Sequence, residues 1–221
     1  MIEAFTAKIN PSLECESGKV FYSGRAAFSE RSDLYVLGIN PGGAPEDGAE
    51  TTVRAHTQFV LYKADALWSA YADESWKGKS PGTHGLQPRM LHLFREIGRD
   101  LRRTPCSNLT FIRSRRVETL EENLDDLEEI CWPFHQEVIA KLRPRIVICL
   151  GDDAGKRVCR RLGAKSIVGQ FIEDNNRRWT SRAHQNSSGV IVLSLTHPSI
   201  ADWSCPQTDP SSLVLKLLGH Q

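Results

Sequence analysis

Three apolar runs punctuate the chain, at residues 34–39, 146–150 and 190–195. Each is short, rich in branched side chains and bounded by turn residues. Their hydrophobicity is continuous rather than alternating, which marks strands buried on both faces, as in a parallel sheet. The intervals between them keep mostly helical spacing. Strands alternating with helices predict a layered α/β fold.

The helices carry start and stop signals. Pro88 opens one whose apolar face is Met90, Leu91, Phe94, Ile97 and Leu101. Thr119 and Glu122 form a capping box ahead of Leu120, Leu124, Leu127 and Ile130. Glu121, Glu122, Asp125 and Asp126 fall in its first turns, where the helix dipole favours negative charge. Pro133 is expected to break or kink this helix, with a second segment at 138–142 ending before Pro144. Asp152 or Asp153 caps a helix that runs to Leu162 and stops at Gly163. A last helix runs from Pro210 to near Gly219. Residues 42–50 and 75–85 read as loops. Residues 109–113 read as a further strand, with Asn108 in the turn before it.

Composition narrows the function classes. A length of 221 residues suits one domain spanning the chain, 1–221. The net charge of +1 gives no global positive field, so nucleic-acid binding would rest on a local basic surface. Candidate clusters are Arg113, Arg115 and Arg116; Lys156, Arg157, Arg160 and Arg161; and Arg177, Arg178 and Arg182. Solvated surface is the plainer reading of each. The six cysteines form no Cys-x-x-Cys pair. The first residues lack the pattern of a signal peptide, and no apolar run is long enough to span a bilayer. A cytoplasmic protein with reduced thiols and no membrane association is expected.

Three short motifs carry chemistry. Gly38-Ile39-Asn40-Pro41-Gly42-Gly43 directly follows the first buried run, where open parallel sheets bind ligands. It has neither the spacing of a dinucleotide fingerprint nor the lysine of a P-loop. Thr196-His197-Pro198-Ser199-Ile200 follows the last run in the same way, and a histidine there can donate or accept at neutral pH. Ser107-Asn108-Leu109-Thr110 offers an amide with a donor and an acceptor, able to read a base edge. Taken singly, each also fits a structural turn.

Together and in order, the three motifs resemble the uracil-DNA glycosylase superfamily. The Gly-Ile-Asn-Pro-Gly wording is that of the mismatch-specific uracil/thymine branch, and the layout is most similar to the family 4 and 5 enzymes. The resemblance implies a three-layer α/β/α sandwich around a four-stranded parallel sheet of order 2-1-3-4. It moves the second strand to end at Asn108 and makes it an edge, which suits Pro105. By the same resemblance, Asn40 would hold the attacking water and His197 would donate to the departing base. Asn108 would read the base, with Gly38 and Ile39 lining the pocket and Phe59, rather than Trp76, stacking on it. Gly42, Pro198 and Ser199 would approach DNA carrying a damaged base. The protein is expected to act as a monomer and a hydrolase of base-excision repair.

Two departures qualify this. The iron–sulfur cysteines of families 4 and 5 are incomplete. Cys15 and Cys131 fall near two positions, but Gly18 and a residue near Ile112 stand at the others, so no cofactor or metal is expected. Asn40 replaces the acid of the most active uracil enzymes, which implies slower chemistry. An inactive relative that binds DNA or a nucleotide is the alternative. A small-molecule enzyme on a flavodoxin-like or Rossmann-like sheet is a third reading, under which Asn40 and His197 would lie apart.

Overall fold

The computed structural model describes residues 2–46, 51–114 and 123–219. Its elements are α1 (Ile2–Thr6), β1 (Leu34–Gly38), α2 (Val53–Tyr62), α3 (Gln87–Glu96), β2 (Cys106–Asn108) and α4 (Leu124–Leu142). Then follow β3 (Ile146–Leu150), α5 (Asp152–Leu162), β4 (Ser166–Ile172), β5 (Thr180–Gln185), β6 (Ile191–Leu195) and α6 (Ser211–Leu218). The capping box at Thr119 and Glu122 and the cluster members Arg115 and Arg116 lie outside the described residues.

One sheet has the order β2-β1-β3-β6-β5-β4. The pairs β1–β2, β1–β3 and β3–β6 are parallel, and β5 adds antiparallel to β6. The sheet therefore has six strands where four were expected. The two extra strands are a hairpin on one edge, and their sequences hide them. Most of β4 faces solvent, and β5 reads Thr-Ser-Arg-Ala-His-Gln, so neither shows a buried apolar run.

Helices pack on both faces. Within β1, Tyr35 and Leu37 join one core with Phe21, Phe111, Phe134 and Val158. Leu34 and Val36 join the other with Met90, Leu93, Trp203 and Val214. This is the period-two alternation of a strand buried on both sides.

The second strand ends at Asn108, and residues 109–113 are not a strand. Their alternating apolar side chains, Leu109 and Phe111, serve the core instead. Their backbone groups pair largely outside the sheet: Lys19 N–H donates to Phe111 O at 3.0 Å and Arg113 N–H to Ser17 O at 2.8 Å. This N-terminal segment also bridges β2 through Phe21 and Ser107. It thereby covers the outer edge of β2.

Pro133 does not break its helix. Helix α4 runs unbroken for 19 residues, with Glu128, Cys131, Phe134, His135, Val138 and Leu142 buried along one side. Pro133 lies on the exposed side, where water can hydrate the carbonyl its missing N–H leaves free. The helix ends at Arg143, in the left-handed region at φ 52° just before Pro144. Neither Asp152 nor Asp153 caps α5. Gly151 holds the cap position and the two acids occupy the first turn. Helix α2 starts at Val53, capped by the Thr52 side chain.

Candidate functional site

The four parallel strands end on one side of the sheet. Gly38 is in register with Asn108, and Leu150 with Leu195. The chain continues from β1 to Asn40, from β3 to Gly151 and from β6 to His197. Thus Asn40, Asn108 and His197 all stand at the carboxyl edge, which removes the reading that placed Asn40 and His197 apart. From β2 to β6 is three strand spacings, ~14 Å, wide enough to seat one base between Asn108 and His197.

Asn108 is buried and shaped by its neighbours. A Cβ on Gly38 would lie 2.1 Å from its Oδ1, so the glycine lets the amide lie against β1. The Tyr22 phenol lies beside this amide, and burial pushes the phenol above its ordinary range. The turn after Asn108 is fixed from below. His135 Nε2 bonds Leu109 O at 3.0 Å, and Nδ1 bonds the Tyr35 hydroxyl at 2.7 Å. A carbonyl can only accept, so Nε2 carries the proton and Nδ1 accepts from Tyr35. Burial lowers the His135 pKa to about 4 and keeps the ring neutral.

The first motif is a braced loop. Asn40 Nδ2 donates to Pro41 O at 2.9 Å, which orients the amide. Arg113 Nη1 donates to Gly42 O at 2.6 Å, and Ser114 N–H to Pro41 O at 3.1 Å. Gly43 adopts φ 99°, with Arg113 Nη1 3.3 Å from where its Cβ would stand. The guanidinium therefore ties the segment after β2 to the loop after β1.

His197 sits in a clamped turn. Trp203 Nε1 donates to Thr196 O at 3.1 Å, Arg89 Nη1 to Pro198 O at 2.6 Å and Arg177 Nη1 to Ile200 O at 2.8 Å. The Ser199 backbone N–H donates to His197 Nδ1 at 3.1 Å, and the Ser199 hydroxyl lies 2.7 Å from the same nitrogen. A backbone N–H cannot accept, so Nδ1 is the acceptor and the ring proton is on Nε2. Burial lowers the pKa of His197 and favours this neutral form. The imidazole packs over Gly151, at φ 102°, where a Cβ would touch Cδ2 at 3.5 Å.

Phe59 and Trp76 occupy different surroundings. Phe59 is 38% exposed on α2, its ring edge-on to Trp68 at 5.6 Å. Trp76 packs on Tyr71 at 6.0 Å and donates to Glu74 at 3.0 Å, and Glu74 is ion-paired with the buried Lys19. Tyr22, Arg89, His135, Arg177 and Trp203 carry no motif in the sequence, because their roles depend on partners distant along the chain. The second basic cluster, and Arg177 and Arg178 of the third, are paired with acids. Arg157 and Arg161 hold the buried Glu128, and Arg177 pairs with Glu173 while stacking on Trp179 at 4.1 Å. Among the described residues no group of side chains suits a metal ion. Cys15 is exposed and Cys131 buried, while Gly18 and Ile112 are bridged backbone to backbone, so these positions do not fit a four-thiolate cluster.

Fold and site define an α/β protein that gathers its three motifs beyond the carboxyl ends of a mostly parallel sheet. A family model for the uracil DNA glycosylase superfamily matches residues 26–204, and the chain belongs to that superfamily. No curated protein matches it in a sequence comparison. No helix among the described residues is long and apolar enough to cross a membrane.

Proposed function

We propose that the protein is a DNA glycosylase that hydrolyses the N-glycosidic bond of a flipped-out deaminated base. The observation that carries this is the convergence of Asn40, Asn108 and His197 at one carboxyl edge, with His197 held as a neutral Nε2–H donor. Membership of a superfamily of hydrolytic glycosylases supports it.

The chemistry follows from the side chains. The bond from Asn40 Nδ2 to Pro41 O fixes the amide plane and leaves Oδ1 to accept from a water O–H. An amide is too weak a base to deprotonate water outright, so its contribution is to place the water under C1′. The bond from C1′ to the base nitrogen breaks with its electron pair on the base. Water oxygen bonds C1′, and the proton it releases balances the charge of the departing base. His197 Nε2–H donates to the base where that charge develops, an interaction worth ~3 kcal/mol. Asn108 reads the amide edge of the base, Gly38 and Ile39 line the pocket, and Phe59 stacks on the ring. The loop at Gly42 and the turn at Pro198 and Ser199 meet the DNA backbone, with Ile200, 54% exposed, beside the turn. Extrusion from the stack is required because C1′ is unreachable within it. The chain acts as one unit over 1–221, as a monomer.

The test is base release from oligonucleotides carrying uracil, hypoxanthine, xanthine or mismatched thymine, at low salt because phosphate contacts are salt-sensitive. Asn40→Ala and His197→Ala run beside the wild type. The expected result is release that falls ~100-fold in His197→Ala and at least as far in Asn40→Ala. Full activity in Asn40→Ala would remove the role given to Asn40. Binding of DNA without release from any substrate would favour a non-catalytic relative.

A further inference from the structure

The proton of His197 is placed by one of its two contacts with Ser199. The Ser199 hydroxyl, 2.7 Å from Nδ1, can donate or accept, so it tolerates either tautomer. The Ser199 backbone N–H, 3.1 Å from the same nitrogen, can only donate, and it requires an unprotonated Nδ1. Whatever aims that N–H therefore selects the ring with its proton on Nε2, the nitrogen left to meet a ligand.

That N–H belongs to a peptide plane whose other end is gripped. Ser199 N and Pro198 O share one planar trans unit, so the N–H and the carbonyl point in opposite directions. The proline ring fixes φ of Pro198, which leaves rotation of this plane as the local freedom. Arg89 Nη1 donates to Pro198 O at 2.6 Å. Holding the oxygen on one side of the chain aims the N–H at His197 on the other. Arg89 reaches the turn from α3, and its Nε donates to Asp202 Oδ1 at 3.4 Å. A guanidinium carries its donors in fixed directions, so the Asp202 contact also directs Nη1.

Arg177 grips the same turn with a different result. It donates to Ile200 O at 2.8 Å, and the N–H of that plane, on Ala201, bonds His197 O at 3.1 Å rather than the ring. His197 O also accepts the Ile200 N–H at 3.0 Å, so this grip steadies a main chain that is already tied. We propose that Arg89 is a positioning residue for His197: by holding the Pro198 carbonyl it turns the Ser199 N–H onto Nδ1 and keeps the donor proton on Nε2. Its effect on rate rests on the glycosylase reading; its effect on the tautomer exists in the free protein. Arg89 touches no reacting atom and acts through one peptide unit.

The experiment reads the His197 tautomer by long-range proton–nitrogen NMR of histidine-labelled protein at neutral pH, with its resonances assigned by their loss in His197→Ala. Arg89→Met, Arg89→Lys and Arg177→Met run beside the wild type. In the wild type Nδ1 is expected in the unprotonated range and Nε2 in the protonated range. In Arg89→Met the two shifts move toward each other; Arg89→Lys, which keeps a donor, restores much of the separation, and Arg177→Met retains it. In parallel, single-turnover base release is expected to fall ~10-fold or more in Arg89→Met, with affinity for the same DNA within ~3-fold of wild type. A wild-type spectrum in Arg89→Met would overturn the proposal whatever happens to release. Equal convergence in Arg177→Met would also overturn it, since the turn would then have loosened as a whole. Converged shifts with no release from any substrate, even by the wild type, would overturn the glycosylase and keep Arg89 as the group that orients the ring. If Arg89→Met does not fold, Arg89→Gln, which stays polar but falls short of Pro198, gives the same reading.

Discussion

Two histidines of this protein are almost equally buried and differ in their hydrogen bonding. His135 is fully buried on α4, with one nitrogen on the Tyr35 hydroxyl and the other on Leu109 O. His56 is 5% exposed on α2, and neither of its ring nitrogens has a hydrogen-bond partner. Both are held neutral, His135 near 4 and His56 near 3, but by different means. Burial dominates in each. Hydrogen bonds to the backbone oppose it in His135, while the charges of Lys19 and Arg113 add to it in His56. The difference separates a polar group used to build the fold from one the fold carries at its own expense. The first fixes the turn beneath Asn108; the second braces nothing.

The largest expected effect comes from breaking the satisfied histidine. His135→Phe takes the histidine donor from the buried Leu109 carbonyl and one partner from the Tyr35 hydroxyl, and should cost ~2–4 kcal/mol in urea unfolding. A loss below ~1 kcal/mol would show that the two hydrogen bonds do not brace the turn.

Acid stability sharpens the contrast. Both folded-state pKa values lie below the ~6.5 of an unfolded histidine, so the unfolded chain binds the proton first as pH falls. Each ring's contribution is intact above ~6.5 and is lost as pH falls toward its folded value, at ~1.4 kcal/mol per pH unit. The window closes near 4 for His135 and near 3 for His56. His56→Leu should therefore show an acid limb shallower by ~1.4 kcal/mol per pH unit than the wild type. Superimposable limbs would mean that His56 is not a buried neutral ring.

The smallest effect is the most discriminating. At neutral pH, His56→Leu removes a desolvated polar group that bonds nothing, so stability should stay within ~1 kcal/mol of wild type or rise. A loss as large as that of His135→Phe would make His56 a structural residue and erase the distinction.

Several elements were legible because their signals are local. The runs at 34–39, 146–150 and 190–195 became β1, β3 and β6, since strands buried on both faces must be apolar throughout. Gly163 and Gly219 stop their helices in the left-handed region, as their residue type suggests. The end of the second strand at Asn108 came from the order of the motifs and not from periodicity, which pointed to residues 109–113. Hydrophobic alternation there reports burial, and burial has two explanations. The hairpin of β4 and β5 escaped notice because an edge hairpin buries little.

By itself the sequence determined the layered α/β class, the three motifs and their order along the chain. Those rest on hydrophobic periodicity and on residue types whose chemistry is intrinsic. Tertiary structure decided that Pro133 could remain inside α4, because one buried face outweighs one missing hydrogen bond. It decided the tautomer of His197, through the Ser199 N–H. It also decided which buried histidine has partners, since His135 is bonded to residues 100 and 26 positions away. Contacts between residues so far apart leave no periodic trace in the chain, and they exist only once the sheet and helices have assembled.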